Sequence, residues 1–520
     1  MNPLIAPVLP FDMKPRARAA VADLKLQQFV GNATHLKDTQ RGGIFGRDFG
    51  AEYDHLRTVA RDTKQYALDH LDELLGRFIE RAEATGAKVH AAATAADACA
   101  IALAIARAHA APGRPMSCVK SKSMVTEEIG LLPAFEAAGI ETLETDLGEF
   151  ILQIDDDAPS HIVTPMIHKD RVATARSFVR ELGARYTEDP TELTMIAREH
   201  MRGLYRKADI GVSGANFLLA DEGAAVICTN EGNFDLSVGG PPVHIVFVGI
   251  EKLIRGARDL APFLKLLARS GTAQPLTVYT SFVRGPRRAG EHGGPKEVHF
   301  VLVDAGRVGV LASEKRDLLR CIRCGACLNA CPVYRKVGGH SYGSMYAGPI
   351  GAVLTPELER AQAGGDAGLA NYPDLPRASS LCGACYEACP VKIDIPKFLI
   401  HDRARLRERG LSPKSEGATL SLWRWLAERP ALFRMAIGAV RLHARMLGER
   451  ERTKGDDRAW LKSAPGPGAG WTATRDLGVA TGERFRDWFA KRETNQDAKH
   501  DAKHDAKQDA KQDAKGGSSR

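Results

Sequence analysis

Seven of the ten cysteines in this chain fall in two short runs, and no other feature restricts its fold as strongly. The first run reads Cys321-x2-Cys324-x2-Cys327-x3-Cys331-Pro332, and the second reads Cys382-x2-Cys385-x3-Cys389-Pro390. In a C-x2-C-x2-C-x3-C-P run, three closely spaced thiolates wrap one iron–sulfur cubane while the fourth crosses to a neighbouring cluster. The spacing therefore predicts Cys321, Cys324, Cys327 and Cys389 on a first cluster, with Cys331, Cys382 and Cys385 on a second. Pro332 and Pro390 turn the chain away after the crossing ligands, while Gly325 and Gly383 let backbone N–H groups approach sulfide. Zinc also takes four thiolates, but its signature is paired C-x2-C knuckles, and two C-x3-C-P endings favour iron–sulfur.

The second run is one thiolate short. A full repeat would place a cysteine three residues before Cys382, where the chain has Ser379 followed by Ser380. Three states follow: a [4Fe-4S] cluster with serine or another non-cysteine fourth ligand, a [4Fe-4S] cluster with one open iron, or a [3Fe-4S] cluster.

Cysteines grouped at ligand spacing argue against a secreted disulfide scaffold and for a reducing compartment. Cys99, Cys118 and Cys228 are expected as buried thiols. The N-terminus lacks a basic region followed by an apolar run, and no apolar stretch approaches the roughly 20 residues of a membrane span. The expected location is cytoplasmic with no transmembrane segment, docking on the inner face of the membrane being left open. The net charge of +8 comes without an aromatic-interleaved basic stripe, so no nucleic-acid partner is expected. Lys315, Arg316, Arg320, Arg323, Arg335 and Lys336 flank the first run, either tuning a redox centre and docking an acidic partner or solvating a helical surface.

At 520 residues the chain exceeds one ordinary core. The pattern predicts an N-terminal helical region over 1–65 and an α/β domain over 66–310. A two-cluster all-α region over 311–410, a helical or extended region over 411–490 and a low-complexity DAKH/DAKQ tail over 491–520 follow. Within the α/β domain, strands are expected at 88–90, 118–120, 140–143, 210–214, 224–229 and 244–249. Segments 276–280 and 298–304 complete the sheet or add to its edge, and helices are expected at 127–138, 169–182 and 191–206. Trp423, Trp425 and Phe433 are expected to pack on the cluster region. The glycine-rich stretch 338–351 reads as a compact loop covering the clusters, with His340 as a less favoured proton-transfer group. No G-x-G-x-x-G follows a strand and opens a helix, so no dinucleotide site is predicted.

The stretches 119–130 (VKSKSMVTEEIG), 145–150 (TDLGEF), 159–169 (PSHIVTPMIHK), 211–217 (GVSGANF), 229–233 (TNEGN), 338–343 (GGHSYG) and 381–390 (LCGACYEACP) are more specific. With them, roughly residues 20 to 485 resemble the LutB/LldF family, the iron–sulfur subunit of the three-protein L-lactate utilisation complex. The resemblance implies a lactate-utilisation (LUD) domain, similar to the sugar-phosphate isomerase and CoA-transferase fold, joined to a helical ferredoxin-like domain. It implies two [4Fe-4S] clusters on seven cysteines, divided as the spacing divides them, so that Ser379 departs from the symmetric ferredoxin pattern and not from the family's. The implied partners are a cysteine-rich iron–sulfur subunit and a smaller LUD-domain subunit, with an unidentified electron acceptor.

The implied activity is oxidation of L-lactate to pyruvate. In such α/β folds ligands gather beyond strand ends, which brings forward Glu222, Asn230 and Glu231. Lys120, Lys122, His161, His168 and Lys169 are candidates for carboxylate binding or acid–base work, and each has a structural hydrogen-bonding role as its alternative. Two other functions remain: a non-catalytic redox and assembly module, or an enzyme subunit acting on another 2-hydroxy acid or a CoA-related substrate.

Overall fold

The computed structural model describes residues 4, 6–110, 113–365 and 367–447, with the short segments 458–464, 469–472, 476–480 and 485–492. Apart from two residues, the DAKH/DAKQ tail lies outside the described residues. Two compact units result, Met1–Ser412 and Pro413–Arg520.

Among the described residues, ten strands belong to the first unit: β1 (Lys88–Ala92), β2 (Ser117–Lys120), β3 (Glu141–Glu144), β4 (Ile210–Gly214), β5 (Phe217–Leu219), β6 (Ala224–Thr229), β7 (Val243–Gly249), β8 (Leu253–Ile254), β9 (Tyr279–Val283) and β10 (Glu297–Val303). Six of them form a parallel sheet in the order β1-β10-β7-β4-β2-β3. The sequence of β7, VHIVFVG, is buried at every position, as an inner parallel strand covered on both faces must be. The other four make a smaller mixed sheet in the order β8-β5-β6-β9.

The late strands take different places. The 298–304 segment completes the main sheet and does not lie at its edge: β10 runs between β1 and β7, where its apolar run is covered on both faces. The 276–280 strand begins later, at Tyr279, and with β6 it leaves the main sheet for the smaller one. The three-residue β5 went unseen because it is too short for periodicity, although Gly223, at φ +59°, marks the turn that pairs it with β6. The helix expected over 127–138 is broken into Met124–Glu128 and Leu131–Ala137 by Gly130 in the left-handed region.

The N-terminal helices do not stand apart. Helix Leu24–Asp48, opened by Asp23 accepting from Leu26 N–H, shares one apolar core with the small sheet and the cysteine-bearing region. Val30 and Phe45 from that helix meet Phe217 and Val226 from the strands, Phe263 and Leu266 from helix Ala257–Thr272, and Leu328, Tyr334 and Leu399 beyond residue 311. Each such fully buried side chain contributes about 1.5–3 kcal/mol, so this shared core holds sheet and cysteine runs in fixed relation.

The second unit contains helices Lys414–Ala427 and Pro430–Leu447. Trp423, Trp425 and Phe433 have exposed side chains on these helices. No helix among the described residues is long and apolar enough to cross a membrane.

Candidate metal centre and adjoining pocket

The two cysteine runs fold into the same backbone unit twice. A short 3₁₀ turn, Arg316–Arg320 or Leu375–Arg377, leads into each run. Arg323 at φ +59° then corresponds to Leu381 at φ +55°, and Gly325 at φ +76° to Gly383 at φ +84°. A five-residue helix follows in both, Ala326–Ala330 and Ala384–Ala388, and the two helices pack on each other. Cys331 (φ −79°, ψ 118°) and Cys389 (φ −73°, ψ 117°) close the units in matching extended conformations. Left-handed backbone costs a side chain-bearing residue about 1–2 kcal/mol, so its repetition at Arg323 and Leu381 marks a constrained loop.

The thiols influence one another in two groups. Cys324 feels Cys389 and Cys321, and Cys327 feels Cys321 and Cys324 before Cys385 and Cys389. Cys331 feels Cys382, and Cys385 feels Cys331 and Cys382. Burial pushes the pKa of Cys324, Cys327, Cys331 and Cys389 up, and that of Cys385 up to about 12. Thiols so placed ionise when a cationic centre compensates them.

Their spacing suits a cluster better than a single ion. A tetrahedral zinc about 2.3 Å from each sulfur would hold the sulfurs about 3.8 Å apart. Among the described residues, groups of three ligand atoms within 4.8 Å of one another are His109/Glu297/His299 and Asp157/His168/His340, and neither includes a cysteine. Backbone N–H groups also point at sulfur: Arg323 at 3.4 Å from Cys321 Sγ, Tyr334 at 3.5 Å from Cys331 Sγ and Ile393 at 3.3 Å from Cys389 Sγ. Such donors stabilise thiolate ligands, so these residues fit iron–sulfur clusters.

Distant elements brace the two runs. Arg57 donates to the carbonyls of Cys389 and Tyr386, each at 2.9 Å. Arg403 donates to those of Pro376 and Ser379, each at 2.8 Å. Lys315 and Arg320 are buried, Lys315 against Glu357 and Asp402, so the reading of a solvated helical surface fails for these two. The glycine-rich stretch is a structural cover in which Tyr342 and Tyr346 are buried and His340 Nε2 donates to Ala158 O at 2.7 Å.

Against the first run lies a pocket of about 310 Å³. It opens at the carboxyl ends of β2, β4 and β7, where parallel sheets place their ligands. Lys122, Asn230, Glu231, Asn233, Glu251, Lys252, Arg307, Arg323, Cys324 and Tyr346 are among the residues that line it. Arg307 is buried between Glu251 (2.6 Å) and Glu128 (2.8 Å). The guanidinium of Arg323 stacks 4.5 Å from the Tyr346 ring centroid. Burial disfavours an ionised Glu251, but Arg307, Lys252 and Arg323 outweigh it and hold its pKa at about 2. Lys122 Nζ, Arg323 Nη1 and Asn233 Oδ1 are buried without a hydrogen-bond partner among the described residues. The nearest acid to Lys122 Nζ is Glu149, at 3.6 Å. Arg323 Nη2 likewise lies 3.6 Å from Glu251, so both cations are charge-paired yet keep donors free of hydrogen bonds, an arrangement that suits a small carboxylate.

Of the sequence candidates, the pocket gathers Lys122, Asn230 and Glu231. Glu231 stands at the rim, partly in solvent, with burial of its carboxyl and then Asp146 raising its pKa to about 7. The others lie elsewhere. Glu222 accepts from Ala257 N–H at 3.1 Å, at the start of a helix. Lys120 is buried against Glu144 at 2.6 Å, and Lys169 pairs with Asp155 at 2.7 Å. His168 bridges Ser160 and Asp157 at 2.8 and 2.9 Å. The Nδ1 of His161 accepts from Val163 N–H at 3.0 Å, so its Nε2 donates to Asn329 Oδ1 at 3.1 Å, tying the α/β part to the first run. Lys252 and Arg307 escaped sequence reading because no local motif announces residues that meet only through folding.

Residues 75–303 match the LUD domain family, and residues 317–393 match the 4Fe-4S dicluster domain family. The chain is similar to lactate utilization protein B of Shouchella clausii (strain KSM-K16), with 40% identity over 92% of this chain and 96% of that protein. Its similarity to lactate utilization protein B of Bacillus subtilis (strain 168) is 41% over 86% and 90% of the respective chains. An uncharacterized electron transport protein of Escherichia coli (strain K12), YkgF, is 38% identical over 93% and 98%. A solved DUF162 family protein from Deinococcus radiodurans aligns at 14% identity over 45% of this chain and 98% of its own, with a TM-score of 0.25, too low to argue from.

Proposed function

Because this chain belongs to the lactate utilization protein B family, we propose that it is the iron–sulfur electron-transfer subunit of a complex oxidising L-lactate to pyruvate. The observation that carries this reading is the pocket wall: Cys324 and Arg323, from the first cysteine run, face the same cavity as Lys122 and Glu231, from the sheet. A small acid anion bound there would lie beside an electron acceptor.

Oxidation of lactate releases two electrons and two protons. Two [4Fe-4S] clusters, held by Cys321, Cys324, Cys327 and Cys389 and by Cys331, Cys382 and Cys385, supply one-electron acceptance each when bound. Lys122 and Arg323 bind the carboxylate, turning their unpaired donors toward its oxygens. Glu231 takes the hydroxyl proton, a role that suits a carboxyl titrating near neutrality. Catalytic duty at the C–H bond is shared with the partner subunits, a cysteine-rich iron–sulfur protein and a smaller LUD-domain protein. The complex works in the cytoplasm and passes electrons to an acceptor that docks on it.

Anaerobic addition of L-lactate to the assembled complex, followed by electron paramagnetic resonance, tests this. Cluster signals from this chain should appear, and Lys122→Ala should raise the lactate concentration needed while leaving the iron content unchanged. Equal reduction by a panel of unrelated hydroxy acids, or no response to Lys122→Ala, would contradict the assignment.

A further inference from the structure

The repeated backbone unit gives the missing eighth thiolate an address. Counting back from the matched pairs Arg323/Leu381 and Cys324/Cys382, the residue equivalent to Cys321 is Ser379. The match extends to the side chain. Arg323 N–H lies 3.4 Å from Cys321 Sγ, and Leu381 N–H donates to Ser379 Oγ at 3.1 Å. The hydroxyl oxygen thus takes the sulfur's place relative to its own loop. Arg403 fixes that loop by bonding the carbonyl of Ser379 itself, so the side chain's origin is tethered.

We propose that Ser379 Oγ is the fourth protein donor of the cluster held by Cys331, Cys382 and Cys385. The proposal rests on the two-cluster reading above and assigns the coordination that reading leaves open. When the iron–oxygen bond forms, the hydroxyl proton leaves to solvent and the alkoxide replaces a thiolate. An oxygen donor is harder than sulfur, so one iron of this cluster differs from the other three. Its neighbour Cys382 is exposed, whereas Cys324, the equivalent in the first run, is buried. The distinct iron therefore sits in the more accessible site, where oxidation would release it first.

The test compares wild type, Ser379→Ala and Ser379→Cys in the full chain, purified anaerobically, by iron and sulfide content, Mössbauer spectroscopy and electron paramagnetic resonance. Wild type should hold about eight iron atoms, one of them distinct in the Mössbauer spectrum. Ser379→Ala should drop to about seven and show the signal of an oxidised three-iron cluster, with the first cluster unaltered. Ser379→Cys should keep all the iron and lose the distinct site. Circular dichroism of all three chains establishes that they share one fold, so that a loss of iron reports on the ligand. An alanine variant with wild-type iron and spectra, or a cysteine variant that keeps the distinct iron, overturns serine ligation while the two clusters stand. A wild-type chain holding only about four iron overturns the two-cluster reading as well.

Discussion

The same backbone unit occurs twice, and its two copies have been put to different uses. In the first, Cys324 is buried, Gly325 presses against Val163 and His161, and Arg323 enters a pocket ringed by Glu251, Lys252 and Arg307. In the second, Cys382 is exposed, nothing lies within 4 Å of where a Gly383 Cβ would stand, and serine replaces the first cysteine. Internal symmetry sets the ligand loops, and the surroundings differentiate the copies. The first lines an interior pocket, and the second faces outward.

The largest expected contrast is between Cys324→Ala and Cys382→Ala. Each removes a ligand outright and should lower the iron content, but Cys324→Ala should also lower the yield of folded protein because its side chain belongs to the shared core. Iron analysis with size-exclusion chromatography reads both effects, and equal folding of the two variants would erase the distinction.

Next comes Arg307→Ala. It strands Glu128 and Glu251 beside the pocket, and breaking a buried ionic cluster in this way costs about 3–5 kcal/mol, measurable by denaturant unfolding. The same network sets a pH dependence. Glu251 has a folded-state pKa of about 2, below its ordinary value of 4.5. Its contribution is therefore present above pH 4.5 and is lost as pH falls through about 2. Arg307→Ala should weaken that acid dependence.

The glycine pair gives a smaller, cleaner difference. Both residues have positive φ, so alanine costs about 1–2 kcal/mol at either. At Gly325 the new methyl also meets Val163 Cγ2 at 3.1 Å and His161 Cε1 at 3.2 Å, adding about 1–3 kcal/mol of overpacking. Thermal unfolding of Gly325→Ala and Gly383→Ala should rank them in that order, and equal losses would mean that the first loop is as free as the second.

The smallest effect concerns pH. With Glu231 titrating at about 7, lactate oxidation by the complex should rise as pH increases through neutrality and the base form fills. Glu231→Gln should flatten that rise, whereas a purely structural role would leave its midpoint in place.

Sequence made the cysteine chemistry and the α/β class legible because both are periodic or closely spaced. Lys122, Asn230 and Glu231 were also accessible, since they follow strands at their carboxyl ends. Glu222 and His168 have the right chemistry, but a helix start and a Ser160–Asp157 bridge claim them. No local pattern could separate those uses. Arg307 becomes visible only when segments from residues 128 to 346 converge on the first run. The equivalence of Ser379 and Cys321 needed backbone angles, because spacing alone names the position without showing that its loop is preserved.

Iron, sulfide and zinc analysis of the anaerobically purified full chain, joined to Mössbauer spectroscopy, tests the two unequal sites most directly. The expected result is about eight iron and eight sulfide per chain, in two four-iron clusters of which one contains a distinct iron. Zinc without sulfide, or two clusters with no distinct iron in either, would contradict it.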